Sequence, residues 1–131
     1  MPLNGDCLLD TTVVVELLRN NPRAVAFVSG LRHAFPPSVT IGELAYGAEN
    51  SARREQNMQV VRDIARTSSV LPADIDVAFR YAEIKRDLKR QGKMSPENDI
   101  RIATIALVNH IPVATCDKHF AVIQGLETVE L

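Results

Sequence analysis

Four acidic residues, Asp10, Glu43, Asp99 and Asp117, carry the chemical interest of this chain. Each stands where an apolar run gives way to a turn or to the start of a helix. Asp10 follows Cys7-Leu8-Leu9, and Glu43 lies in Ile41-Gly42-Glu43-Leu44. Asp99 opens an apolar segment, and Asp117 follows Pro112-Val113-Ala114-Thr115. Ionised carboxylates brought together repel, by roughly 4 kcal/mol for two at 4 Å and an effective dielectric near 20. A divalent cation turns that repulsion into binding. An all-oxygen ligand set of this kind suits Mg²⁺ or Mn²⁺, which can clamp the attacking and leaving oxygens of a phosphodiester. Each acid also has a purely structural reading. Asp10 can cap a helix, Thr40 and Glu43 match a capping box, Asp99 complements a helix dipole, and Asp117 suits a turn. None of those four uses predicts convergence on one face.

Convergence depends on the elements, and the stretch from Ser95 to Phe120 organises them. Ser95 reads as an N-cap and Pro96 as the first helical position. Ile100, Ala103, Ile105, Ala106 and Leu107 make a largely apolar helix that His110-Ile111-Pro112 breaks. Pro112 to Thr115 is then a short buried strand. Helix starts and the carboxyl ends of strands share one face of an α/β sheet, where such folds place their sites. The remaining segments alternate in the same way. Cys7-Leu8-Leu9 is a first strand. Thr11 to Leu18 is a helix, with a strand as its rival because three consecutive valines are poor helix formers. Pro22 to Leu31 is a second helix. Pro36-Pro37 opens a strand at Ser38 to Thr40, and helices follow at Ile41 to Asn50 and Arg53 to Thr67. Ser69-Val70-Leu71 is another short strand. Asp74 to Gln91 is a helix with Val77, Tyr81, Ile84 and Leu88 at helical spacing, closed by Gly92. A short helix reaches Ile123, and Glu127 to Leu131 is an edge strand. The expected fold is a single-domain α/β protein over 1–131, a three-layer α/β/α sandwich with a central mainly parallel sheet and right-handed crossovers.

Composition narrows the functional classes. Fifteen basic and sixteen acidic residues give a net charge of -1, which argues against a uniformly basic nucleic-acid binder but not against a local basic patch. Lys85, Arg86, Lys89, Arg90 and Lys93 form such a patch at the end of the long helix, and they are candidates for guiding nucleic-acid backbone phosphates. The 131 residues contain no apolar run of membrane-spanning length and no signal-peptide pattern, so a cytoplasmic protein without membrane contact is expected. Cys7 and Cys116 have no metal-ligand spacing and read as reduced, buried strand residues. Thr11, Asn98 and Thr115 are placed to orient the carboxylates. His119, beside the fourth acid, reads as a surface or core-edge histidine, as do His33 and His110.

Taken together, Leu8-Leu9-Asp10-Thr11, Ile41-Gly42-Glu43-Leu44 with Gly47, Asn98-Asp99-Ile100 with Ile102-Ala103, and Thr115 through Phe120 followed by Gly125-Leu126 resemble the PIN-domain ribonucleases of the VapC toxin type. The resemblance spans nearly the whole chain, and Thr104, where alanine is more usual, is a small departure. It implies a metal-dependent endoribonuclease, a toxin held in check by a cognate antitoxin, with Asp10, Glu43, Asp99 and Asp117 as catalytic acids. Of these, Asp10, Asp99 and Asp117 are expected to hold Mg²⁺ or Mn²⁺. The antitoxin is expected in a groove walled by Val13 to Leu18, Pro22 to Leu31 and the Glu43 helix, surfaces that would also support a homodimer. Two rivals remain. A phosphatase with an aspartyl nucleophile usually needs a second acid two residues on, where Thr12 stands. A non-catalytic RNA- or protein-binding module on the same fold is the other. A nucleotide-binding Rossmann module is disfavoured, because no glycine-rich loop follows Leu9.

Overall fold

The computed structural model describes residues 5–131. In chain order the elements are β1 (Asp6–Leu9), α1 (Thr11–Leu18), α2 (Pro22–Ser29), β2 (His33–Phe35), α3 (Ser38–Glu49), α4 (Arg54–Thr67), α5 (Ile75–Arg90), α6 (Glu97–Asn109), β3 (Val113–Thr115), a 3-10 helix (Lys118–Val122) and β4 (Thr128–Glu130). The sheet runs β2-β1-β3-β4, and every pairing is parallel.

Side-chain alternation along the strands divides the core in two. Leu8 and Val113 face one side, against Val77, Ile84 and Leu88 of α5, the apolar faces of α6, and Phe120. Cys7, Leu9 and Ala114 face the other, against Val13 and Val14 of α1, with Phe27, Val28 and Ile64 beside them. Helix α6 lies so deep that Ile100, Ile102, Ala103, Thr104, Ile105 and Ala106 are all buried. Thr104 satisfies its hydroxyl by donating 2.7 Å to the Ile100 carbonyl one turn back, so the residue is tolerated in the core.

Helix wins over strand in α1 despite its valines. Asp10 Oδ1 accepts from Val13 N at 3.0 Å and caps the first turn, and the valines then pack on the sheet. Asn20, with φ 57, turns the chain, and Asn21 and Pro22 start α2 as cap and first residue.

The structure corrects five local expectations. The second strand is His33–Phe35, not Ser38 to Thr40, because Ala34 and Phe35 pair with Cys7 and Leu8. Pro36 and Pro37, which cannot donate to a ladder, end that strand rather than open one. Helix α3 then starts at Ser38, which puts Thr40 inside it, so Thr40 and Glu43 form no capping box. Ser69 to Leu71 contributes only an isolated bridge between Pro37 and Leu71. At α6 the N-cap is Pro96; among the described residues Ser95 Oγ is buried without a partner. Cys116 is exposed beyond the end of β3, whereas Cys7 is fully buried in β1. No helix among the described residues is long and apolar enough to cross a membrane.

Candidate active site

Strand order reverses between β1 and β3: β2 lies to one side of β1, and β3 and β4 lie to the other. A crevice opens past the carboxyl ends of two parallel strands at such a switch point. Asp10 and Asp117 follow those two ends. Asp99 enters the crevice from the first turn of α6, and Glu43 enters from α3.

Asp10 is held on every side. Beyond the cap to Val13, Thr12 Oγ1 donates to Oδ1 at 2.6 Å and Thr115 Oγ1 donates to Oδ2 at 2.5 Å. Both threonines also accept from the loop after β3. Cys116 N donates to Thr12 at 2.9 Å, and Asp117 N donates to Thr115 at 2.9 Å. The two hydroxyls therefore tie the ends of β1 and β3 together. Asp10 is only 2% exposed. Burial pushes its carboxyl above the ordinary range, opposed by the Thr115, Thr12 and Val13 hydrogen bonds and reinforced by the charge on Asp117.

Glu43 is also held in place. Thr11 Oγ1 donates to its Oε1 at 2.5 Å and lies 3.1 Å from the buried Thr40 hydroxyl. Asn98 Nδ2 donates to its Oε2 at 3.2 Å, which joins α3 to the start of α6.

Asp99 differs from both. Among the described residues its carboxylate accepts no hydrogen bond, and His119 Nδ1 stands 3.8 Å away. Burial first, then the charges of Asp117 and Asp10, raise its pKa from 3.8 to about 6; His119 opposes the shift and Glu43 adds to it. The four carboxylates thus share one electrostatic environment. Ligand atoms of Asp99, Asp117 and His119 all lie within 4.8 Å of one another. A carboxylate crowded by like charge and lacking a donor fits a divalent cation, so this donor set suits one.

Of the five basic residues, Lys85, Lys89 and Lys93 line one groove with Met94 and Glu97 beside the start of α6. Lys85 Nζ pairs with Glu97 at 2.8 Å, and Glu97 also accepts from the Tyr81 hydroxyl. Arg86 and Arg90 do not line that groove. On the far side of the sheet, Val14, Leu17, Leu18, Val28 and Ile64 line an apolar groove. Its third wall is α4, not the Glu43 helix expected from sequence. Thr12 was not expected to serve the site, and its only sequence signal is a second hydroxyl after Asp10. His119, expected as a surface or core-edge histidine, is exposed but lies at the acids.

Comparison with known proteins accords with this geometry. The family model described as PIN domain matches residues 7–126. Ribonuclease VapC2 of Haemophilus influenzae is 34% identical over 101 residues, 76% of each chain. The tRNA(fMet)-specific endonuclease VapC of Shigella flexneri is 31% identical over 124 residues, 92% of this chain and 94% of that one. Among solved structures, DNA-bound VapBC from Salmonella typhimurium has a TM-score of 0.85 at 27% identity and covers 98% of both chains. VapBC2 from Rickettsia felis shares the fold, with a TM-score of 0.85 at 22% identity over 95% of this chain and 98% of that one. The chain belongs to the PIN-domain family and, within it, to the VapC group.

Proposed function

We propose that this chain is the toxin of a toxin–antitoxin pair, an endoribonuclease that hydrolyses RNA phosphodiester bonds with Mg²⁺ or Mn²⁺. The observation that carries the reading is the crowding of Asp10, Asp99 and Asp117 at the sheet's switch point, with Asp99 raised to about 6 and lacking a hydrogen-bond donor. Asp10, Asp99 and Asp117 would hold the cation. When bound, a divalent cation supplies positive charge at the phosphate and acidifies water.

The chain's own residues do the rest. Thr12 and Thr115 fix the Asp10 oxygens and hold the Asp117 loop against it, so the acids need little rearrangement on binding. Glu43, aimed by Thr11 and Asn98, is placed to orient the attacking water. Lys85, Lys89 and Lys93 offer a lane of cations for backbone phosphates leading to the start of α6, with Arg86 and Arg90 adding charge outside the groove. A cognate antitoxin would cover the apolar groove between α1, α2 and α4 and reach towards the acids, and a homodimer is the expected state of the toxin itself.

The test is RNA cleavage by purified protein freed of any partner. Cleavage that requires Mg²⁺ or Mn²⁺, stops with chelator and is lost in Asp99→Asn supports the reading. Cleavage that continues in chelator, or none at all with either ion, refutes it.

A further inference from the structure

We propose that His119 is a nitrogen ligand that makes this site prefer a first-row transition-metal dication over Mg²⁺. The inference rests on the metal-dependent reading above and deepens it. His119 belongs to the 3-10 helix that begins just after Asp117, and Phe120, 1% exposed in the core, anchors that turn. The backbone N–H of His119 donates to Asp117 Oδ1 at 2.9 Å, which holds the carboxylate against the turn that carries His119. Its Nδ1 lies 2.9 Å from Asp117 Oδ1, 3.0 Å from Asp117 Oδ2 and 3.8 Å from Asp99 Oδ2. Neighbouring corners of an octahedral site with bonds of about 2.1 Å lie about 3 Å apart. The imidazole therefore stands one ligand spacing from Asp117 and within reach of a position shared with Asp99.

The simpler reading makes His119 an exposed hydrogen-bond partner of Asp117. An exposed pair of that kind contributes little to stability. It also leaves unexplained why the nitrogen faces both carboxylates, one of which has no donor. A shared ligand position accounts for both contacts. Its chemical consequence is selectivity. Mg²⁺ is hard and binds oxygen, whereas imidazole nitrogen suits transition-metal ions, so one nitrogen among carboxylates tilts the site away from Mg²⁺.

The experiment uses the full chain, freed of any partner, with Mn²⁺ as the paramagnetic probe and Mg²⁺ as competitor. Wild-type protein should bind Mn²⁺ about 10-fold tighter than Mg²⁺, and pulsed EPR of the Mn²⁺-loaded protein should show a ¹⁴N coupling. His119→Gln should lose that coupling and about 10-fold in Mn²⁺ affinity, with Mg²⁺ affinity changed less than about twofold, a loss at the low end of metal-site perturbations. No ¹⁴N coupling, together with an unchanged Mn²⁺ to Mg²⁺ ratio in His119→Gln, overturns the inference. Asp99→Asn separates the two levels. If it loses Mn²⁺ while His119→Gln does not, the metal-dependent reading stands and His119 is only a hydrogen-bond partner. If Asp99→Asn binds Mn²⁺ as wild type does, both fall.

Discussion

Thr115 at the end of β3 donates a hydrogen bond to Asp10 at the end of β1, across 105 positions of sequence, and accepts one from the backbone of Asp117. A single hydroxyl thus sets the spacing of two of the four acids. Thr115→Val should keep the shape and lose both contacts. We expect RNA cleavage to fall about 10- to 100-fold, as when a group that orients a metal ligand is removed. Thr115→Ser, which keeps the hydroxyl, should restore most of it. Equal activity in the valine and serine variants would show that the hydrogen bond plays no part.

The acids themselves should be far less tolerant. Asp10→Asn and Asp99→Asn each keep the size of the side chain and remove a charge. Both should lower cleavage by more than about 100-fold, beyond the loss typical of an orienting residue. Circular dichroism should stay unchanged. Wild-type rates in either variant would remove that residue from the site.

Stability should carry the mark of Asp99. Its folded-state pKa is raised from 3.8 to about 6, so the fold favours the neutral carboxyl. That contribution is fully present below about 3.8 and is lost as pH rises through about 6. Asp6, Glu49 and Glu97 are lowered chiefly by hydrogen bonds from cationic partners, and Asp63 by those from Gln59 and then Arg66; all four act with the opposite sign, so the total is not diagnostic. The useful quantity is wild type minus Asp99→Asn, from urea unfolding of metal-free protein between pH 3.5 and 7, values set by those two limits. Wild type should lose stability relative to the variant across that range. Mn²⁺ at about 100 times its Kd should return about 2.7 kcal/mol to wild type at neutral pH. A difference that is flat with pH would mean that the acids do not crowd Asp99.

RNA affinity should depend unequally on the basic residues. Replacing Lys89 and Lys93, which line the groove beside α6, should flatten the salt dependence of binding by about 0.7 in log–log slope per lost phosphate contact on single strands. Arg86 and Arg90 lie outside that groove, and their loss should matter less. Identical salt slopes for the two double variants would argue against a lane of phosphates there.

Co-expression with the cognate antitoxin tests the partner. Its tail is expected to bring an arginine to the carboxylates, because a planar guanidinium pairs bidentately with them. Bound antitoxin should therefore block both RNA cleavage and Mn²⁺ uptake. A partner that binds tightly and leaves cleavage intact would place its contact elsewhere.

The amino-acid sequence by itself determined the parallel α/β class and the positions of Asp10, Asp99 and Asp117 relative to their own strands or helix. Those properties are local. Apolar runs, the Asp10 cap, the breaks at Asn20 to Pro22 and at His110 to Pro112, and Gly92 with φ 67 act within a few residues. Short-range signals failed where tertiary contact decided. The second strand fell at His33–Phe35 because β1 offered its ladder there, and Thr40 became a buried helix residue instead of a cap. Only the folded sheet brought Thr12 to the loop after β3 and put His119 beside Asp99. Only packing left the Asp99 carboxylate among like charges and, among the described residues, without a donor. Hydrogen bonds and charge repulsion act over a few ångströms of space, and partners 20 to 105 positions apart in the chain leave no periodicity from which that proximity could be read.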